Sequence, residues 1–169
     1  LLGDRCKQAG IQFRPCNLDN GHIPFEDEYF DIVIFTEVLE HVFAPPTDIL
    51  TEIKRIMRPK GKLILSVPNI ASLYKRIKLF FGIAILENAD HQMNKDGVHG
   101  HGHIHEYTKK EILSLCKSIN FKISRVQLLT PTALDVIRQK EKVTLMGFLY
   151  YCITFLVPQF RPTIYIECY

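Results

Sequence analysis

The sequence predicts an α/β domain, a mostly parallel sheet flanked by helices. Two apolar runs, Phe30–Thr36 (FDIVIFT) and Lys62–Val67 (KLILSV), have the continuous apolar character of strands buried on both faces. Between them Ile49, Leu50, Ile53, Ile56 and Met57 recur at helical spacing, so one face of a helix is apolar. Strand, helix, strand in that order is how parallel strands are joined.

The elements follow in order. Leu1–Gly10 reads as the tail of a helix stopped by Gly10; the chain does not open on Met, and the expectation is a fragment whose preceding part is missing. Ile11–Cys16 is expected to be a short strand and Asn17–Glu28, with Gly21 and Pro24, a loop. Phe30–Thr36 is the next strand. Pro45-Pro46 breaks the chain, Thr47 is placed to cap the helix that follows, and Arg58-Pro59-Lys60-Gly61 stops it. Lys62–Val67 ends at Pro68. From Asn69 to Phe81, Ile70, Leu73, Ile77 and Phe80 alternate with Lys75, Arg76 and Lys78 at helical spacing. Glu87–His105 is a long loop rich in Gly, Asn, Asp and His, and loops of that length are usually functional. Thr108-Lys109-Lys110-Glu111 is a capping box opening a helix to Asn120. Phe121–Leu129 and Thr163–Tyr169 read as strands. The apolar stretch Val143–Val157 is shorter than the roughly 20 residues a membrane span needs. It is expected to pack on the core or lid a pocket, within a substrate-side insertion over 130–160 of a single domain, 1–169.

Composition narrows the class. With 47% apolar and 23% charged residues the chain is globular, and a net charge of +3 is too small to argue for a nucleic-acid partner. Five scattered cysteines without a C-x-x-C pair argue against a disulfide framework or a cysteine zinc site, and for a reducing, cytoplasmic setting.

Ligands of such sheets bind outside the carboxyl ends of the strands. Asn17-Leu18, the segment Thr36–Val42 (TEVLEHV) and Pro68-Asn69 all follow strands, so three loops are expected to converge on one edge.

These residues carry a resemblance. Ile23-Pro24-Phe25, Phe30-Asp31, Glu37-Val38-Leu39-Glu40-His41 and Arg55–Asn69 come in the order and spacing of class I S-adenosylmethionine-dependent methyltransferases. Lys60 stands where that family usually has Gly. The resemblance covers Ile11 to about Phe121. It implies a Rossmann-like sheet whose first strands are missing, and S-adenosyl-L-methionine as cofactor. Asn17, Leu18 and Thr36 match its adenine side, with Asn17 where Asp is common; the Asn carbonyl can still accept from an adenine amino group. The glycine-rich turn and the ribose-binding acid of the family have no counterpart, since Gly3 and Gly10 form no G-x-G pattern. Poor cofactor binding by this chain alone, and exposed sheet edges, are expected.

Methyl transfer from a sulfonium is an in-line displacement, so the protein must align the nucleophile and help remove a proton. Glu37, Glu40 and His41 form E-x-x-E-H, whose members share a face if the segment is helical. Two carboxylates and an imidazole suit a divalent cation. The segment resembles that of quinone-biosynthesis O-methyltransferases and of small-RNA 2′-O-methyltransferases. By the second likeness, His103 in His103-Ile104-His105-Glu106-Tyr107-Thr108 joins Glu37, Glu40 and His41 as ligands of magnesium or manganese. Without metal, His41 or Glu37 is the candidate base, with His103 or His105 the second. The structural alternative has Glu37 orient the loop and His41 bond a backbone carbonyl.

The leading reading is an O-methyltransferase acting on a small or lipid-linked substrate. Two others stand beside it: a metal-dependent RNA 2′-O-methyltransferase, against which the modest charge speaks, and a non-catalytic methyltransferase-like binding module. The basic, aromatic helix around Lys75–Phe81 adds a peripheral membrane contact to the expectations.

Overall fold

The computed structural model describes residues 2–85, 102–130 and 145–169. Helix α1 is Leu2–Gln8. Strand β1, Phe30–Thr36, is followed by α2 (Pro46–Ile56), β2 (Met57–Pro68) and α3 (Leu73–Phe80). Helix α4 (Lys109–Ser118), β3 (Ile123–Leu129), α5 (Leu145–Leu156) and β4 (Thr163–Cys168) complete the regular elements. Among the described residues no helix is long and apolar enough to cross a membrane.

The strand order is β1-β2-β4-β3. β1 runs parallel to β2, with Phe35 opposite Leu65. β4 is antiparallel to both neighbours, Leu65 facing Ile166 on one side and Ile166 facing Val126 on the other. The sheet is therefore mixed, and the mostly parallel expectation holds only for β1–β2 among the described strands. The reason is legible in β4 itself: Ile164, Ile166 and Cys168 are fully buried while Thr163, Tyr165 and Glu167 are half-buried. That alternation belongs to a strand covered heavily on one face, as antiparallel strands commonly are.

One sheet face carries the core. Leu63, Leu65, Val67, Ile164 and Ile166 are buried there under α2, through Ile49, Leu50 and Ile53, and under α4, through Ile112 and Cys116. Each fully buried aliphatic side chain contributes about 1.5–3 kcal/mol. On β1 the opposite face is open, with Ile32 and Ile34 exposed.

Three local expectations are corrected. Ile11–Cys16 is not a strand: its residues are exposed, and no strand pairs with it among the described residues. An apolar run with no ladder to satisfy its amides does not become a strand. Thr47 does not cap α2. Pro45 is the N-cap residue and Pro46 opens the helix with its pre-set φ, while the Thr47 hydroxyl donates to Asp48 Oδ1 at 3.2 Å. Helix α3 starts at Leu73 because Asn69 is used otherwise: buried, it donates through Nδ2 to the Arg161 carbonyl at 2.8 Å and accepts from the Ala71 amide at 3.0 Å. By contrast the capping box holds, Thr108 accepting from the Glu111 amide at 3.2 Å and Glu111 from the Thr108 amide at 3.3 Å.

Candidate active site

Strand β1 delivers its last residues to the edge where the loops meet. Past Thr36, Glu37 takes a left-handed backbone, φ 53°. Its amide donates to the Ser66 carbonyl at 3.0 Å, and its carboxylate accepts the Ser66 hydroxyl at 2.7 Å. This turn aims a short 3-10 segment, Leu39–His41, back at the sheet. Leu39 plugs into the core, and Glu40 beside it is carried to 0% exposure.

The expectation that Glu37 converges with Glu40 and His41 on one helical face is not met. The left-handed residue breaks any helix there, the 3-10 turn begins only at Leu39, and Glu37 turns to Ser66. Glu37 stays close enough for its charge to act on Glu40.

Glu40 is the unusual group. Among the described residues, neither of its carboxylate oxygens has a hydrogen-bond partner from another residue. Burial, with the Glu37 charge adding, pushes its carboxyl above the ordinary range against the pull of its own backbone amide, His41 and Lys75. Its backbone carbonyl accepts the Ile104 amide at 2.7 Å, which ties this turn to the segment carrying His103.

Two imidazoles face it. His41 Nδ1 lies 3.2 Å from the Gly102 carbonyl; a carbonyl only accepts, so Nδ1 carries the proton in that bond. Nε2 is turned to the Glu40 side, 3.8 Å from Oε1. The His103 ring packs edge-on against His41, centroids 4.8 Å apart, and its Nδ1 sits 2.7 Å from Glu106 Oε1. Glu106 is buried and ion-paired with Lys75. Burial, then the Lys78 charge, holds the Lys75 amine below its ordinary range. One ligand atom each from Glu40, His41 and His103 all lie within 4.8 Å of one another.

His105 is turned elsewhere. Its Nε2 is 2.7 Å from Glu111 Oε1 and its ring packs on Tyr107, at the start of α4. His99 and His101 lie outside the described residues.

The cluster opens on a cleft of about 500 Å³ lined by Glu37, Tyr74, Lys75, His103 and Tyr150, so α3 and α5 form its walls. Asn17 caps the turn Leu18–Asn20, its Oδ1 accepting the Asp19 amide at 3.0 Å. Asn17 and Thr36 are exposed and Leu18 packs on the core. Asp19 straps this loop to the one after His41, accepting the Phe43 and Ala44 amides at 2.7 and 3.0 Å.

Sequence reasoning missed Glu106, Lys75, Asp19 and Ser66. Only Glu106 had a signal, the H-x-x-E spacing from His103.

Comparison with known proteins now adds to the geometry. The fold is similar to that of solved S-adenosylmethionine-dependent methyltransferases, and residues 2–65 match the family described as a methyltransferase domain. The expected resemblance is borne out in the fold and in the family match over residues 2–65. A stretch of 54 residues is 50% identical to an uncharacterized protein of Methanocaldococcus jannaschii, covering 32% of this chain and 23% of that protein. A methyltransferase from Mesorhizobium loti is similar in structure, with TM-score 0.61 at 16% identity over 98% of this chain and 74% of its own. So is a possible histamine N-methyltransferase from Thermotoga maritima, with TM-score 0.58 at 14% identity over 98% of this chain and 67% of its own. A geranyl diphosphate methyltransferase gives TM-score 0.55 at 16% identity, over 98% of this chain and 62% of its own. At these identities the likeness is one of fold. The match spans under a quarter of the curated relative's length.

Proposed function

We propose that this chain forms the adenine side and the acceptor side of an S-adenosylmethionine-dependent methyltransferase. The acceptor is a hydroxyl oxygen of a small or lipid-linked molecule, and Glu40, His41 and His103 hold a divalent cation, magnesium or manganese. The observation that carries this reading is Glu40, fully buried beside two imidazoles, with no other described residue bonding either carboxylate oxygen. An unpaired buried carboxylate is expensive to keep, and a cation accounts for it.

The donor set fits. The Gly102 carbonyl orients His41 through Nδ1 and Glu106 orients His103 through Nδ1, and one atom each from Glu40, His41 and His103 lies within 4.8 Å of the others. Histidine ligands are commonly oriented by such outer partners, and carboxylate oxygen with imidazole nitrogen suits manganese. When bound, the cofactor supplies the electrophilic methyl group and the cation lowers the hydroxyl pKa.

The chain's own residues do the rest. Thr36 and Asn17 meet the adenine at the strand ends. Tyr74 and Tyr150 wall the cleft that orients the acceptor. Glu37 spends Oε1 on Ser66 and keeps Oε2 to take the hydroxyl proton.

Calorimetry tests this. The complete protein is titrated with S-adenosylhomocysteine and, separately, with manganese chloride. The expected result is a manganese heat lost in Glu40→Gln and in His103→Gln, with S-adenosylhomocysteine still bound. A manganese heat that survives both changes, or none in the parent protein, overturns the metal assignment; failure to bind S-adenosylhomocysteine overturns the enzyme reading.

A further inference from the structure

We infer that α3 with the turn after it, together with α5, forms a face that seats on the surface of an anionic lipid bilayer beside the mouth of the cleft. Helix α3 has no buried residue. Phe80 is 84% exposed and Phe81 69%, and Tyr74, Ile77, Leu79 and Ile83 are exposed with them. An amphipathic helix normally earns its stability by burying its apolar stripe, and this one leaves the stripe in water. Helix α5 repeats the pattern: Leu145–Leu156 contains no charged residue and exposes Leu149, Ile153, Phe155 and Leu156.

The charges choose the occupant. Helix α3 carries Lys75, Arg76 and Lys78 and no acidic residue. Lys75 is committed to Glu106, but Arg76 and Lys78 make no ion pair with a carboxylate among the described residues. Arg76 lies over the Phe160 ring and Lys78 over the Tyr74 ring, so both cations ride beside aromatic groups. Basic heads next to exposed aromatic and aliphatic side chains, without acids, are the composition of a helix that lies in a headgroup layer. Residues as exposed as Phe80 and Leu156 project from the surface instead of lining a groove, which suits insertion between lipids better than docking of a peptide. Arg76 reaches Phe160 just past α5, and both helices wall the cleft through Tyr74, Lys75 and Tyr150. A bilayer seated on this face meets the cleft at its mouth.

The test uses the absence of tryptophan from the chain, which makes Phe80→Trp a single emitter. On vesicles of phosphatidylcholine mixed with phosphatidylglycerol, the emission is expected to shift to the blue and to be quenched by brominated acyl chains. Arg76→Gln and Lys78→Gln should each weaken vesicle co-sedimentation about fivefold, the equivalent of about 1 kcal/mol per basic residue at an anionic surface. Phe80→Ser with Phe81→Ser should abolish it, and Ile34→Ser, on β1, should leave it unchanged. Emission that stays unshifted at saturating lipid overturns the inference, as does a blue emission without lipid in a self-associating chain. Vesicle binding needs neither cofactor nor cation, so its failure would leave the catalytic proposal standing, and the reverse also holds.

Discussion

Glu37 and Ser66 bond each other twice: the Glu37 amide donates to the Ser66 carbonyl, and the Ser66 hydroxyl donates to the Glu37 carboxylate at 2.7 Å. The pair fixes a left-handed residue at the end of β1, and strained backbone of this kind gathers at functional sites. Ser66→Ala keeps the backbone bond and releases the carboxylate. It should cost about 1 kcal/mol of stability in a denaturant titration. The same change should lower kcat more than the KM for the cofactor, because Glu37 loses its aim.

Another left-handed residue, Lys60 at φ 68°, lies in the first part of β2. Lys60→Gly should raise stability by about 0.5–1 kcal/mol, the relief of strain less the added chain entropy. Its neighbour behaves oppositely. A Cβ on Gly61 would stand 2.9 Å from the Arg58 carbonyl and 3.2 Å from that of Asp31, so Gly61→Ala should cost about 2 kcal/mol. Thermal unfolding of the two variants checks both signs.

Much of the fold is legible in the sequence, for identifiable reasons. Phe30–Thr36 is read to the residue because an apolar run bounded by turn residues leaves little choice. The helix after Thr108 is read because its cap is written in side chains. The pairing of β4 between β2 and β3 is not, since the partners of a strand are set by tertiary packing. At the candidate site, the juxtaposition of His41 and His103 follows the spacing and likeness, whereas Glu37 is misplaced because nothing in T-E-V announces a positive φ. Lys75 is hidden for another reason: on paper it belongs to a solvated basic face, and in the fold it pairs with buried Glu106.

Acid stability should depend on Glu52. It accepts from Arg55 Nε at 2.9 Å and Nη2 at 2.8 Å, and from the Ile23 amide at 3.1 Å. The Arg55 guanidinium is the main force lowering its carboxyl from 4.5 to about 2. A depressed folded pKa gives stability that is full above pH 4.5 and lost as the pH falls toward 2. Glu52→Gln should lose about 2 kcal/mol at neutral pH and flatten that acid limb, read as unfolding midpoint against pH.

Glu40→Gln should separate stability from ligation. Without metal, the variant should be as stable as the parent or more so, because a buried carboxylate that no other described residue bonds is removed. Manganese at about a hundred times its dissociation constant should stabilise the parent by about 2.7 kcal/mol and the variant not at all. Thermal shift with and without the ion reads this directly.

The placement of β4 has a kinetic consequence. Cys168 pairs with Leu63 on one side and with Ile123 on the other, so the sheet is closed by a strand distant in sequence from β2. Among the described strands, β4 alone joins β2 to β3. Non-local pairing of this kind slows folding. Amides of β2, β3 and β4 should gain exchange protection together and late, while α4, nucleated by its own cap, gains it first.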